Sequence, residues 1–188
     1  MGIAIAQELY RRGADVSLIL GPSAIDFSAN GIKLIRVTSA DDMYNACHNI
    51  FKETDLAVMS AAVADYTPVK RADQKIKKTE AEPGLTLELT KTKDILKSLG
   101  AIKTGKQILV GFALETVNEK EYALKKLESK NADMIILNSL NDAGAGFGHD
   151  TNKITIFQKD GTERQFETKS KNEVAKDIVN TIVNSYYA

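Results

Sequence analysis

The sequence predicts a three-layer α/β domain of the Rossmann-like type, built on a mostly parallel sheet with an antiparallel hairpin at one edge. Short apolar runs at residues 56–60, 107–112 and 134–138 indicate strands that are buried on both faces. Amphipathic helical segments separate these runs, and this alternation is typical of parallel sheets. Alternating apolar and polar residues on both sides of Asp160 and Gly161 predict the hairpin.

The chain begins in a helix instead of a strand. Ile3 and Ala6 recur at helical spacing, Gly13 provides a C-terminal stop, and residues 15–20 form the next predicted strand. This order is the second half of a strand–helix–strand unit, so we expect the first strand of the sheet to be missing. The length of 188 residues favours one domain, at 1–188, around a single sheet.

The remaining elements continue the same pattern. Ser39 and Asp42 have the spacing of a capping box, which marks the start of a helix. The last helix carries a broad apolar stripe, which we interpret as a packing face that could also contribute to a dimer. The other predicted elements are strands at 33–37, 85–89, 153–159 and 162–167 and helices at 94–99, 118–130 and 174–186.

Composition argues against several classes of function. Lys+Arg and Asp+Glu both number 25, so the chain lacks the net basic charge that is typical of nucleic-acid binding. No apolar run approaches the roughly 20 residues that cross a bilayer, and the first residues lack the pattern of a signal peptide. The single cysteine, Cys47, lies among apolar residues of a predicted helix and is expected in the core. These features predict a cytoplasmic protein without membrane partners.

Ligands of open parallel sheets bind beyond the carboxyl ends of the strands, which directs attention to three segments. The first follows residue 60, where Ala61 and Ala62 would let a ligand approach the backbone and Asp65 is a lone carboxylate. Asp65 could bind a ribose hydroxyl, an exocyclic amine or a hydrated metal ion. A solvent-facing aspartate in a turn is an equally simple interpretation.

A basic loop and a glycine-rich loop add weaker signals. Lys75 belongs to a loop of five cations whose only acid is Asp73, and such a loop could close over phosphates or simply be solvated. Residues 138–148 contain three glycines at alternate positions, which can expose backbone N–H groups to an anion. His48 and His149 have no identifiable catalytic partner and are interpreted as structural. The sequence shows no metal-ligand cluster with zinc spacing and no catalytic triad, so metal ligands stay unassigned.

Five motifs taken together are more specific than any of them alone. They are Ala-Ala-Val-Ala-Asp-Tyr at 61–66, Lys-Ile-Lys-Lys at 75–78, Lys-Asp-Ile-Leu at 93–96, Gly-Phe-Ala-Leu-Glu-Thr at 111–116, and Gly-Phe-Gly at 146–148 with Asp150 and Asn152. Their order and spacing resemble the phosphopantothenoylcysteine synthetase family, the ligase domain of bacterial bifunctional coenzyme A biosynthesis flavoproteins, over nearly the whole chain. The resemblance implies a ligase that joins 4′-phosphopantothenate to cysteine with CTP and Mg²⁺, through an acyl-cytidylate and with release of pyrophosphate.

The resemblance also implies roles for individual residues. Ala61 and Ala62 would contact substrate, and Lys75 would act in catalysis by contacting the phosphates of CTP from the mobile loop. The nucleoside end of CTP would contact Met59, Ser60, Ala61 and Asp65. The other implied nucleotide contacts are Lys93, Asp94, Ile95, Leu96, Phe112, Lys126 and Lys130.

Several features depart from this picture. Lys126 and Lys130 lie late in a helix that an ordinary crossover connection would carry away from the carboxyl ends of the strands, so a helix of unexpected direction is needed to reconcile them with the site. The family usually has proline at the position of Lys93. Its opening strand, a glycine-rich turn and an asparagine used in cysteine coupling precede the matched region, so this truncated chain could be inactive. The flavin-binding decarboxylase domain also precedes it, so no flavin is expected here.

Partners and competing classes complete the expectations. The family implies a homodimer and a natural fusion to the decarboxylase domain. One alternative is a truncated NAD(P)-dependent oxidoreductase, because residues 2–20 would serve equally well as the helix and second strand of that fold. Gly21 and Pro22 at the end of that strand, and the lack of a Tyr-x-x-x-Lys pair, argue against this alternative. A non-enzymatic binding module, with the long loops as partner surfaces, is the third class.

Overall fold

A computed structural model describes residues 1–25, 27–28, 31–77, 84–115, 117–139 and 150–187 of the chain. The helices are α1 (Gly2–Arg11), α2 (Ala40–Phe51), α3 (Ile95–Ile102), α4 (Glu119–Ser129) and α5 (Lys171–Tyr186). The strands are β1 (Ser17–Leu20), β2 (Lys33–Arg36), β3 (Leu56–Met59), β4 (Tyr66–Pro68), β5 (Leu89–Lys91), β6 (Ile108–Glu115), β7 (Met134–Ser139), β8 (Thr151–Asn152), β9 (Ile154–Gln158), β10 (Glu163–Gln165) and β11 (Lys169–Ser170).

The centre of the domain is a five-stranded sheet in the order β10-β9-β7-β6-β3. The strands β3, β6 and β7 run parallel, while β9 and β10 form an antiparallel hairpin at one edge. The hairpin turns at Gly161, whose φ of 88° is a left-handed conformation that glycine adopts at little cost. The predicted α/β class and the antiparallel edge are therefore confirmed.

The first two strands form a separate parallel pair, so the prediction of a single sheet is wrong. Among the described residues, β1 and β3 are not joined by ladder hydrogen bonds, either directly or through a strand between them. Helix α1 bridges the two sheets through its side chains, since Ile5 packs in the same cluster as Val58 of β3. Its neighbour Ala6 packs with Leu18 of β1. The interruption between the two sheets thus lies under α1.

Two layers of helices cover the central sheet. Helices α1 and α5 share one face, where Ile178 of α5 packs with Val110 and Ile136 of the sheet. Helices α2, α3 and α4 share the other face, where Leu99 of α3 packs with Ile135. Both clusters consist of fully or nearly fully buried apolar side chains, which is the arrangement that stabilises a sheet with two apolar faces.

The apolar stripe of α5 is buried by this packing against the sheet. Val174, Ile178 and Ile182 are completely buried inside the chain. Their suggested contribution to a dimer surface is therefore wrong, because none of the three side chains has an exposed face to offer. Ser170 and Glu173 form a capping box at the start of the helix.

The strands differ from expectation more than the helices do. Strand β6 continues to Glu115 instead of ending at residue 112. The strand predicted over 85–89 begins only at Leu89, where β5 pairs with the unpredicted β4. The pairing partners β4 and β5 are about 20 residues apart in sequence, so no local turn signal reveals them. The capping box of Ser39 and Asp42 is present at the start of α2, as predicted.

Two expectations from composition can be compared with this fold. Cys47 is buried in the core, as predicted, and burial raises the pKa of its thiol to about 11. The thiol is therefore protonated at neutral pH and is a poor nucleophile. In the part of the chain that the structure describes, no helix is long and apolar enough to cross a membrane.

Candidate functional site

A cavity of about 510 Å³ lies beside the carboxyl end of β3. Met59, the last residue of β3, and Phe112 of β6 contribute apolar surface, and the start of α3 closes the cavity from the side. The predicted site residues that line it are Met59, Ala61, Asp65, Lys93, Asp94, Ile95, Leu96, Phe112, Lys126 and Lys130. The fold thus brings residues from four separate segments of the sequence to one place.

Three predicted residues do not line this cavity. Ser60 is half-buried against the start of α1, where a Cβ atom on Gly2 would lie 2.5 Å from its Oγ. Ala62 and Lys75 are exposed to solvent, so the proposed contact of Lys75 with a nucleotide stays a prediction. Lys78, Thr116, His149 and the glycines of the 138–148 loop lie outside the described residues.

Asp94 organises the entrance to α3. One of its carboxylate oxygens accepts a hydrogen bond of 2.9 Å from the backbone N–H of Lys97, which caps the helix. The other oxygen lies 2.6 Å from Lys130 Nζ. Desolvation opposes ionisation, but the hydrogen bonds from Lys130 and Lys97 outweigh it and lower the pKa of Asp94. Asp94 is therefore an anion that fixes Lys130 at the cavity wall.

Lys126 is a half-buried lysine of the cavity wall that has no direct counter-ion. Among the described residues, no carboxylate lies within ion-pair distance of its ammonium group, although Glu115 is close enough to act electrostatically. Desolvation lowers the pKa of Lys126, and the positive charge of Lys130 acts in the same direction. A partly dehydrated ammonium next to a second cation is a group that an incoming anion would stabilise.

The position of these two lysines corrects the sequence analysis. Helix α4 is an ordinary crossover between the parallel strands β6 and β7, so no unusual helix direction is involved. Side chains on a helix lean toward its N-terminus, which for α4 is the end nearest the carboxyl end of β6. The long side chains of Lys126 and Lys130 therefore reach back to the cavity although their backbone lies at the far end of α4.

A glycine permits the close approach that places Lys130. Gly100 of α3 packs directly against the backbone carbonyl of Lys130, and a Cβ atom at this position would collide with the carbonyl oxygen. The neighbouring Asn131, at a φ of 49°, donates a hydrogen bond of 2.8 Å from Nδ2 to the carbonyl oxygen of Gly100. The end of α4 is thus held against α3 at a fixed distance.

We expect Gly100→Ala to lower the free energy of unfolding by about 1–3 kcal/mol, the usual range for overpacking a tight contact. The backbone of Lys130 would have to move, so its ammonium would leave Asp94 as well. Urea denaturation measures the effect. Gly105→Ala is the matched control, because nothing lies within 4 Å of a Cβ atom there. An equal loss in both variants would contradict the role of the contact.

Sequence reasoning missed four lining residues. They are Val63, Tyr66, Lys91 and Thr92. Tyr66 and Lys91 are cross-strand partners in the β4–β5 pair, which no sequence signal announced. Thr92 anchors the Asp65 segment, because its N–H donates to the carbonyl of Asp65 at 2.9 Å and its hydroxyl donates to that of Ala64 at 2.7 Å. The sequence offered only proximity as a signal, because Val63 and Tyr66 lie within the 61–66 motif and Lys91 and Thr92 directly precede the 93–96 motif.

The charge of the cavity favours anions. Four lysines line it against the two carboxylates of Asp65 and Asp94, and one of those carboxylates is already paired. Within the described ranges, no group of three His, Cys, Asp or Glu residues could hold a metal ion by itself. His48, expected to be structural, shares a hydrogen bond of 2.9 Å with Ser98 between α2 and α3. Asp65 is therefore the carboxylate that is left available to a ligand.

The fold and the cavity together define an α/β domain with a cationic pocket at the strand ends, where open parallel sheets bind their ligands. The family model described as the DNA/pantothenate metabolism flavoprotein C-terminal domain matches residues 1–186. The chain belongs to this family.

Individual relatives agree with the assignment. The coenzyme A biosynthesis bifunctional protein CoaBC of Bacillus subtilis is 46% identical over 182 residues, which cover 97% of this chain and 44% of the relative. A cysteine/cysteine sulfinic acid decarboxylase of an unknown prokaryotic organism is 48% identical over 183 residues, which cover 97% of this chain and 50% of the relative. The chain spans about half the length of the curated relatives it matches.

A solved structure shows the same fold. The crystal structure of the C-terminal domain of CoaBC superposes with a TM-score of 0.79 at 37% sequence identity. The match covers 96% of this chain and 79% of that structure's chain.

Proposed function

We propose that the chain is the ligase domain of a cytoplasmic coenzyme A biosynthesis enzyme that joins 4′-phosphopantothenate to cysteine with CTP. The observation that carries the proposal is the cavity, which combines an apolar wall, one available carboxylate and four lysines in a space of about 510 Å³. Such a combination fits a nucleoside triphosphate, whose base is flat and apolar and whose phosphates are anionic. The relatedness to CoaBC proteins supports the same assignment.

The proposed reaction has two steps. A carboxylate oxygen of phosphopantothenate attacks the α-phosphorus of CTP, and pyrophosphate leaves with the electron pair of the broken P–O bond. The amino group of cysteine then attacks the acyl carbon, CMP departs, and the nitrogen loses a proton. Activation is needed because a carboxylate is a poor electrophile, whereas CMP is a good leaving group. The lysines of the cavity would stabilise the negative charge that develops on pyrophosphate.

The geometry suggests a division of the cavity between the two ends of the nucleotide. Met59, Ala61 and Phe112 would pack against the base, and Asp65 would accept a hydrogen bond from a ribose hydroxyl or from the amino group of cytosine. At the other end, Lys126 and Lys130 would contact phosphates, together with the free backbone N–H groups at the start of α3. Ser60 and Ala62 adjoin Ala61 in the chain and would act through the backbone, Ser60 at the nucleoside end and Ala62 toward the substrate.

Mg²⁺ fits this arrangement only when it is bound together with the phosphates of the nucleotide. Magnesium is usually bound by one or two carboxylates together with substrate phosphates and water, and Asp65 would be its protein ligand only in place of the hydrogen bond to the nucleoside. When bound, the ion would neutralise phosphate charge during transfer. Asp94 is already engaged by Lys130 and by the α3 cap, so it is not a free metal ligand.

Thermal-shift titration tests the proposal. We expect CTP with Mg²⁺ to raise the Tm and NADP⁺ to leave it unchanged, since only a molecule that binds the folded state stabilises it. Stabilisation by NADP⁺ would instead favour an oxidoreductase, and no response to either would favour a binding module. A chain extended at its N-terminus should release pyrophosphate only when CTP and phosphopantothenate are both present.

We expect Lys75→Gln to lower kcat more than it weakens CTP binding. The proposed contact strengthens as charge moves onto pyrophosphate, so its loss affects the transition state more than the ground state. A loss of about 10- to 100-fold in kcat with a small change in Kd is the expected result, measured as pyrophosphate release. Lys77→Gln is the neighbouring control in the same exposed segment. Unchanged turnover in Lys75→Gln would contradict the role.

The proposal includes two macromolecular partners. We expect a second copy of the chain, and the exposed apolar side chains of Tyr66, Leu87 and Leu89 around the β4–β5 pair are candidates for the contact. The other partner is the flavin-dependent decarboxylase domain that the family resemblance implies, and the ligase domain itself would bind no flavin. Sedimentation velocity would show a mass near twice 20.5 kDa if the dimer forms.

A further inference from the structure

Helix α2 holds Lys93 at the mouth of the cavity. The ammonium of Lys93 lies 3.0 Å from Asp41 Oδ1. It also lies 4.8 Å from the centroid of the Tyr44 ring, a distance at which a cation is attracted to the ring face. Lys93 lines the cavity, whereas Asp41 and Tyr44 do not. Two residues outside the cavity therefore determine where one of its four lysines stands.

The Tyr44 ring is itself held in place. It stacks on the ring of His48 with centroids 4.2 Å apart and planes inclined by 30°. His48 Nε2 in turn shares a hydrogen bond of 2.9 Å with Ser98 Oγ on α3. Because α2 and α3 both support the ring, its face is a fixed platform for the ammonium.

The contact with Asp41 differs in kind from the contact with the ring. The side chains of Lys93 and Asp41 are 55% and 70% exposed, and ion pairs in such positions contribute little net stability. A polyphosphate entering the cavity offers several oxygens with more charge than one carboxylate. The polyphosphate can therefore replace Asp41 as the ion-pair partner of the Lys93 ammonium, while the Tyr44 ring still keeps that ammonium at the cavity mouth.

We propose that Asp41 and Tyr44 are positioning residues for Lys93, with Tyr44 presenting the ammonium to a bound polyphosphate and Asp41 competing with that polyphosphate for it. The inference rests on the proposed function, in which the cavity binds CTP and releases pyrophosphate. Asp41 then lowers the affinity of the cavity for pyrophosphate, and the ion pair between Asp41 and Lys93 forms again when pyrophosphate leaves. The competition sets the balance between holding the triphosphate and releasing the product.

Calorimetric titration of pyrophosphate at low ionic strength tests this arrangement. Lys93→Met should weaken binding by about 5-fold or more, as expected for the loss of one charged phosphate contact. Asp41→Asn should tighten binding by about 2- to 5-fold, because the exposed competitor is removed. Tyr44→Leu should weaken binding by about 2- to 5-fold. Tyr44→Phe, which keeps the ring, should bind pyrophosphate as the wild type does.

Glu53→Gln is the matched control for charge. Glu53 is exposed just beyond the other end of α2, so its substitution removes one negative charge without touching Lys93. Only Asp41→Asn should tighten binding, and the difference should shrink in high salt because screening weakens the exposed pair. A merely structural role of Asp41 would weaken binding or leave it unchanged.

Each outcome decides the inference. It is overturned if Asp41→Asn fails to tighten pyrophosphate binding, if Glu53→Gln tightens it equally, or if the wild-type chain binds no pyrophosphate. Parallel titrations with CTP separate it from the proposed function. Pyrophosphate binding with the expected pattern but without CTP binding would reject the ligase assignment and keep the inference. CTP binding that Lys93→Met, Asp41→Asn and Tyr44→Leu all leave unchanged would reject the inference alone.

Discussion

Replacing Lys126 with methionine should weaken CTP binding by about 30-fold, the equivalent of roughly 2 kcal/mol for a hydrogen bond that involves a charged group. Lys126 lines the cavity, is partly buried and has no direct counter-ion among the described residues. Its removal leaves no carboxylate unpaired, so the fold should not be destabilised. Isothermal titration at pH 7.5 measures the loss. Lys125→Met, an exposed neighbour outside the cavity, should bind CTP as the wild type does.

The same lysine should make binding depend on pH. Desolvation lowers the pKa of Lys126 below 10.5 in the free protein, and a bound phosphate would raise it again in the complex. The ammonium contribution to affinity is therefore full below the free-state pKa and is lost as the pH rises from that value toward the pKa of the complex. Lys126→Arg, which stays charged, should remove the alkaline loss. A Lys126→Met variant with unchanged affinity would contradict both expectations.

The largest effect on stability should come from Asp133, which lies just before β7. Lys103 Nζ is 2.5 Å from both carboxylate oxygens, and the backbone N–H of Leu109 donates to one of them at 2.8 Å. The side chains of Lys103 and Asp133 are only 8% and 14% exposed. Asp133→Asn should therefore lower the free energy of unfolding by about 3–5 kcal/mol, because it leaves a buried ammonium without its counter-charge.

A double-mutant cycle distinguishes this mechanism from a simple loss of packing. Adding Lys103→Met to Asp133→Asn removes the uncompensated charge and should recover a large part of the lost stability. In thermal unfolding, the single Asp133→Asn change should lower the Tm by about 6–20 °C for a chain of this size. If Lys103→Met destabilised the protein further when combined with Asp133→Asn, the buried pair would not be the cause.

The sequence predicted the helices and the main strands because their signals are local. The capping box at Ser39 and Asp42 and the stop at Gly13 each depend on a few neighbouring residues, and both appear in the structure. The β4–β5 pair was missed because it joins segments distant in sequence, whose partners only the fold can select. The division into two sheets was missed for the same reason, since apolar runs predict strands and not their pairing.

The candidate site shows the same division. Motif order was sufficient to nominate Asp65 and Phe112, which line one cavity. It could not explain how Lys126 reaches that cavity. The order of elements gives the direction of a helix backbone, but not the direction in which a helical side chain leans. The role of Asp41 could not be predicted from the sequence either, since an acidic residue in the first turn of a helix is already explained by the helix dipole. Only the distance to Lys93 gives it a second role.

The separation of β1 and β2 from the central sheet has a consequence for how the protein loses its structure. In the described residues these two strands form ladder hydrogen bonds only with each other, and packing of apolar side chains attaches them to the remainder. Such a lobe can detach by parting apolar surfaces, without rupture of any inter-strand ladder, so it is the portion that mild denaturant should melt first. The cavity is lined by the central sheet, the β4–β5 pair, α3, α4 and the segments next to them, so ligand-binding capacity should outlast the earliest phase of unfolding.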